Sequence, residues 1–329
     1  MSARRGASPE AIEYQYDAGN EFFALWLDEP TMSYSCALWD DDPTLDLAAA
    51  QRRKIDYHVR TARAEGASRV LDVGCGWGGL LRALVERHGV SEAVGLTLSR
   101  AQQEWVTDFG LPGVEVRLES WEDHEPEQPY DAVISVGAFE HFARPRLSPL
   151  EQLEAYRAFF ARCHTWLKPS GWLSLQTMAF EETSEWMRYA FAHYGRQFIP
   201  ESDAPFIEDV VLAASPWFNL RTVRCDGEMY ARTFAEWLRR LRANREQIVE
   251  GYGHELYKRF RQTLSIAEIL FQRGHLTLYR CGFERRPIPR ESAMAAELGC
   301  TMPEVDQRAG VDRASAAHAL LGVPRSTTE

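Results

Sequence analysis

The chain of 329 residues carries 37 Lys and Arg against 48 Asp and Glu, a formal net charge of −11 that excludes a generally basic binder of nucleic acid. With 45% hydrophobic and 26% charged residues it has the make-up of a soluble folded protein, neither disordered nor fibrous. A chain of this length buries roughly 75% of the surface its unfolded form exposes, so it needs no covalent staples.

Residues 1–60 read as an N-terminal helical cap containing Phe22, Phe23, Trp26, Tyr34 and Trp39. At Ser68 the pattern changes to a short apolar run, RVLDV (69–73), closed by the glycine turn GCGWGG (74–79) and followed by the amphipathic helix LLRALVERHG. A second strand (92–97) comes at the spacing of a βαβ unit, and Ser99 opens another helix. Strands at 114–118, 130–135 and 171–176 follow, the last two separated by a helix over 151–169, and strands at 217–225 and 275–283 complete the set. Strands alternating with helices imply a parallel sheet covered on both faces. The expected organisation is a catalytic body over 61–286, with an aromatic-rich insertion at about 181–210 and a basic helical one at about 231–273. The Ala-rich tail, 287–329, has no assigned role.

The six cysteines (Cys36, Cys75, Cys163, Cys225, Cys281, Cys300) show no CxxC pair and no histidine at zinc spacing, against both a disulfide framework and a metal site. The first residues turn polar where a signal peptide needs an apolar core, and no stretch of 18 apolar residues occurs. A cytoplasmic location is expected, with any lipid contact peripheral. Charge is unevenly spread: residues 230–286 hold 12 basic and 6 acidic side chains. Arg232, Arg239, Arg240, Arg242, Arg245, Lys258, Arg259 and Arg261 make either a solvated helix face or a landing surface for anionic lipid, phosphate or an acidic carrier protein.

Gly74, Gly76 and Gly78 sit between a strand and a helix, where the missing Cβ atoms let a ligand lie on the backbone near the helix N-terminus. Gly79 completes a GxGxxG spacing, so the turn alone does not name the ligand. Asp72, two residues before the first glycine, shifts the balance: LDVGCG resembles motif I of S-adenosylmethionine (SAM)-dependent methyltransferases, and a carboxylate there can face the ammonium of SAM. LKPSGWLSLQ (167–176) resembles the LKPGG strand entry of the same superfamily. The second strand ends in GLTLS (95–99) without the acid that usually binds the ribose hydroxyls, leaving Thr97 and Gln102 to supply those hydrogen bonds. The same missing acid disfavours a nicotinamide oxidoreductase. VGAFE (136–140) after the fourth strand, in place of Pro-Pro-aromatic, disfavours a DNA methyltransferase.

The blocks YDAGNEFF (16–23), MSYSCA (32–37), LDVGCGWG (71–78), GLTLS (95–99), Trp121-Glu122 and SVGAFEHF (135–142) together resemble the cyclopropane fatty acid and mycolic acid cyclopropane synthases, from about residue 14 to 283. The resemblance implies a class I methyltransferase fold: a Rossmann-like, seven-stranded, mostly parallel α/β sheet with an antiparallel last strand. It also implies that Tyr34, Ser35, Asp72, Gly74, Gly76, Thr97, Gln102, Trp121, Glu122 and Val136 surround SAM. In that family a bicarbonate held by a Cys, a Glu, a His and a Tyr takes up the proton that the reaction releases. The matching positions are Cys36, Glu140 and Tyr230, but the fourth reads Gln176, in LSLQT where the synthases read LLHT.

Glutamine can donate a hydrogen bond but cannot carry charge or exchange protons. Three chemistries stay open. Glu140 acts directly as base with Tyr230 orienting it; bicarbonate is still held by Cys36, Glu140, Gln176 and Tyr230; or the acceptor is an amine, hydroxyl or activated aromatic carbon that makes no cation. The leading expectation is SAM-dependent C-methylation of a hydrophobic, unsaturated acyl, isoprenoid or polyketide-like substrate. Alternatives are a small-molecule N-, O- or aromatic C-methyltransferase, a true cyclopropane synthase, and a silent SAM- or lipid-binding partner. Without the family, Cys36 reads as a buried apolar residue, Tyr230 as a strand-end core residue and His141 as structural. The aromatic groups in the cap and both insertions, the latter including Trp186, Tyr189, Trp237 and Phe260, are expected to form a deep apolar acceptor pocket over the strand ends.

Overall fold

The computed structural model describes residues 6–290 except 17, 41, 146 and 182–200. Three helices precede the sheet: α1 (Pro9–Tyr16), α2 (Asn20–Ala24) and α3 (Leu47–Thr61). Asp46 caps α3 by accepting from the Ala49 N–H at 2.7 Å. Val70 and Leu71 of β1 (Arg69–Val73) are fully buried, as a central parallel strand covered on both faces requires. Then come α4 (Gly79–Arg87), β2 (Glu92–Thr97), α5 (Arg100–Thr107), β3 (Val114–Leu118), β4 (Tyr130–Val136), a single 3-10 turn (Phe139–His141) and α6 (Pro149–Trp166). Helix α6 starts with a full capping box, Ser148 to Glu151, and a proline at its first position. The chain continues through β5 (Leu167–Phe180), α7 (Ile207–Ala214), β6 (Phe218–Cys225), α8 (Gly227–Ala243), α9 (Arg245–Tyr252), α10 (His254–Gln272) and β7 (Leu276–Arg285).

The seven strands lie in the order β3-β2-β1-β4-β5-β7-β6, parallel except β7, which runs antiparallel between β5 and β6. This is the sheet that the resemblance implies. The order reverses between β1 and β4, which makes the space beyond their C-terminal ends the ligand crevice.

Residues Met1–Pro289 form one compact unit, so cap, sheet and helical insertion are built together. The remaining unit, Arg290–Glu329, and the aromatics expected at 186–198 lie outside the described residues, Arg290 excepted. One apolar core packs the sheet against α6 and α7, and another packs its other face against α3, α4 and α5. A third joins the cap to α8–α10: Phe22, Phe23 and Trp26 meet Trp237, Phe260 and Leu264.

Part of the basic insertion is used in this docking. Arg240 donates to the carbonyls of Trp26 (2.8 Å) and Leu27 (2.6 Å), and Arg232 donates to the Asp42 carbonyl while lying 4.0 Å over the Trp39 ring. The insertion also begins earlier than expected. Helix α8 starts at Gly227, so Tyr230 lies inside a helix and not at a strand end. The run Tyr230, Phe234, Trp237, Leu238, Leu241 explains this, because it repeats at helical spacing and buries one stripe.

Candidate active site

Two adjoining cavities open at the switch point and share Tyr16, Gly74, Gly76, Gln102 and Gly137. Gly74 has φ +85°, and a Cβ there would overlap Ala138; Gly76 has φ +53°, and a Cβ there would meet no protein atom within 4 Å. The first glycine therefore fits the fold, while the second leaves room for a ligand on the backbone.

The first cavity is lined by Tyr34, Ser35, Lys54, His58, Asp72 and Val136, among others. Asp72 is buried near the C-terminal end of β1, and burial pushes its carboxyl up to about 7, with Lys54 pulling the other way. Lys54 is buried too; its Nζ donates to Ser33 Oγ (3.1 Å) and Ser35 Oγ (3.0 Å), and burial brings its pKa down to about 8.

The second cavity is lined by Thr97, Gln102, Glu119, Ser120, Trp121, His141 and Phe142. Thr97 Oγ1 accepts from the Ser99 N–H (3.1 Å) and donates to Gln102 Oε1 (2.8 Å), which fixes the amide and leaves its NH2 end for a ligand. Glu122 does not line either cavity, although its neighbours Ser120 and Trp121 do. Burial holds His141 down to about 4, so it is neutral, in keeping with a structural role.

The four residues expected at the reaction centre line neither cavity, and a shared hydrogen-bond partner joins just two of them, Cys36 and Gln176, among the described residues. Glu140, on the 3-10 turn, is buried; its Oε2 accepts from Thr177 Oγ1 at 3.2 Å, and burial pushes its pKa up to about 7. Tyr230 stacks on Phe234 with ring centroids 4.4 Å apart, and burial, together with nearby Cys36 and Glu140, keeps its hydroxyl protonated. Cys36 and Gln176 are linked through Arg280, which donates to Gln176 Oε1 (2.9 Å) and reaches Cys36 Sγ (3.4 Å) and the Cys36 carbonyl (3.2 Å). Burial pushes the Cys36 thiol up to about 11, so it is no nucleophile at neutral pH.

Sequence reasoning did not single out Lys54, His58, Arg280 or Tyr16. Tyr16 lines both cavities, and His58 contacts Ser174 Oγ (2.8 Å) and Gln176 Oε1 (3.2 Å). A signal existed for two of them. In α3 the apolar Leu47, Ala50, Ile55 and Val59 mark the buried face, and Gln51, Lys54 and His58 share it. A polar stripe on a buried helix face marks a site.

A cradle of this shape, with a carboxylate beside the glycine turn and a hydroxyl–amide pair in place of the ribose acid, fits SAM and is that of a class I SAM-dependent methyltransferase. Known proteins agree. The family model described as mycolic acid cyclopropane synthetase matches residues 4–281. The S-adenosylmethionine-dependent methyltransferase UmaA of Mycobacterium tuberculosis is 32% identical over 276 residues, covering 79% of this chain and 91% of that protein. Cyclopropane mycolic acid synthase 1 of the same organism is 32% identical over 281 residues, covering 80% and 93%. Among solved structures, the mycolic acid cyclopropane synthase CmaA1 complexed with SAH and CTAB superposes with TM-score 0.76 at 30% identity, covering 85% of this chain and 99% of that one. The chain belongs to the mycolic acid cyclopropane synthetase family and is a SAM-dependent methyltransferase. No helix among the described residues is long and apolar enough to cross a membrane.

Proposed function

We propose that the enzyme methylates an electron-rich carbon of a hydrophobic, unsaturated acceptor and that Glu140 removes the resulting proton. Bound SAM supplies an electrophilic methyl group, so the protein has to align the acceptor, tolerate positive charge on it and accept a proton. The observation that carries the reading is Glu140, a buried carboxyl poised at about 7. The rings of Tyr16 and Tyr34, which meet edge-to-face with centroids 6.5 Å apart, both line the first cavity, and aromatic rings there support a cationic acceptor. An apolar acceptor is in keeping with the similar synthase CmaA1, whose structure is complexed with CTAB.

One observation favours a second reading, in which bicarbonate sits among Cys36, Glu140, Gln176 and Tyr230. Gln176 Nε2 is a buried donor with no acceptor among the described residues. Turnover with methyl-deuterated SAM on lipid extracts and isoprenyl diphosphates separates the two. Direct methylation retains all the deuterium, whereas ring closure loses one deuteron, and only the bicarbonate reading has a rate that falls in carbonate-depleted buffer. A ring-closed product overturns the first reading. For partners, the cations Arg242, Lys258 and Arg261 remain exposed, the last two on the same helix as the exposed Ile266 and Ile269. They support a peripheral contact with anionic lipid or an acidic carrier, tested by sedimentation with anionic against neutral vesicles.

A further inference from the structure

Lys54 is 4% exposed, yet no carboxylate among the described residues lies within 4.0 Å of its Nζ. Its two partners are neutral hydroxyls, Ser33 Oγ and Ser35 Oγ, and an ammonium has three donors. Asp28, beyond Ser33, is the strongest opposite charge acting on Lys54 but makes no ion pair with it within 4.0 Å, and its oxygens are already engaged: Thr31 donates to them through N–H (3.0 Å) and Oγ1 (2.6 Å), and the Ser33 N–H does so at 3.3 Å. On the cavity side stands Asp72, 2% exposed, with no hydrogen bond to its carboxylate among the described residues. A buried cation and a buried anion thus line one cavity without pairing. Such an arrangement is costly by itself and becomes favourable when a ligand brings the opposite charge to each. A zwitterion does that, and α-amino acids are zwitterions.

We propose that Lys54, held back by Ser33 and Ser35, is the anchor for the α-carboxylate at the amino acid end of SAM, while Asp72 takes the α-ammonium. This rests on the reading of the cradle as a SAM site. The serines keep the ammonium from collapsing onto Asp72, and the carboxylate supplies the charge-assisted acceptor that Lys54 lacks.

Calorimetry with S-adenosylhomocysteine, its decarboxylated analogue and methylthioadenosine, on the wild type and Lys54→Met, tests it. The wild type is expected to bind S-adenosylhomocysteine about tenfold or more tightly than the decarboxylated analogue. In Lys54→Met that preference disappears, while affinity for methylthioadenosine, which lacks the amino acid end, stays unchanged. Equal binding of the first two ligands by the wild type overturns the proposal, and that comparison needs no variant to fold. Parallel loss of all three ligands in Lys54→Met also overturns it, because it marks a merely structural role. If the wild type binds none of the three, the SAM reading falls first.

Discussion

Arg280 and Gln176 face each other across β7 and β5, and the arginine Nε donates to Gln176 Oε1 at 2.9 Å with both side chains buried. Arginine only donates, so this bond settles which end of the amide is oxygen. His58 Nε2, 3.2 Å from the same oxygen, must then donate as well, and its Nδ1 accepts from Ser174. Burial holds His58 neutral, which suits that tautomer. Where the family's histidine could exchange a proton, this chain has an amide fixed with its NH2 unpartnered among the described residues, clamped by a histidine from α3 and an arginine from β7.

The clamp depends on an ion pair. Arg280 Nη1 bonds Asp226, and Nη2 donates to the carbonyls of Cys36 and Ala37, each at 3.2 Å. Replacing Arg280 by Met should cost about 3 kcal/mol, the lower end for a broken buried pair. The lower end applies because Arg224 still pairs with Asp226 at 2.7 Å. Adding Asp226→Leu should restore part of that loss by removing the buried charge that then keeps only Arg224 as partner. Urea unfolding of the wild type, both single variants and the double variant measures this. A double variant as unstable as the sum of the singles would contradict the assignment.

Glu140 makes a pH prediction with a definite sign. Its folded pKa, about 7, lies above the ordinary 4.5, so the carboxyl is protonated below neutrality and cannot act as a base. At saturating SAM, kcat should fall about tenfold per pH unit below about 7. Glu140→Gln should lose about 10²- to 10⁴-fold in kcat. Because folding favours the protonated form, the stability associated with Glu140 is fully present below the unfolded pKa and is lost as pH rises from about 4.5 through about 7. The glutamine variant should therefore unfold at a higher temperature than the wild type at pH 8 and at a similar one at pH 4. A kcat profile that stays flat down to pH 5 would remove Glu140 as the base.

The alternation of strands and helices, and the cradle LDVGCG, were legible because each is a local pattern with a physical cause. That Thr97 and Gln102 meet at the second cavity was legible by what was missing, since the strand lacked its acid. Lys54, His58 and Arg280 were not. Arg280 reads as one polar residue in HLTLYRC, and its partner Cys36 is 244 positions away in sequence. Tyr230 was placed at a strand end because the change from period two to period 3.6 falls within four residues of it, at Asp226 and Gly227. The aromatic load was expected to line a pocket. The residues of it that the structure describes in the cap and helical insertion mostly make a shared core, with Tyr16, Tyr34 and Trp77 reaching the cavity.

The glycine turn makes the last prediction, since two of its glycines, Gly74 and Gly76, fail differently. Both have positive φ, so an alanine at either position carries a left-handed backbone penalty of about 1–2 kcal/mol. At Gly74 the added methyl also collides with the Cβ of Ala138 on the loop after β4, and neither backbone can retreat without shifting a central strand. Gly74→Ala should thus be strongly destabilised with or without ligand. At Gly76 the methyl enters empty space, so the apo protein should lose only the backbone term. That space borders both cavities of the proposed SAM cradle. S-adenosylhomocysteine at about 100 times its Kd should stabilise the wild type by about 2.7 kcal/mol, NAD should not, and Gly76→Ala should fold yet lose most of the ligand's effect. Thermal unfolding with each ligand measures all of these. A Gly76→Ala protein that keeps the full shift would place the ligand elsewhere than over the second glycine.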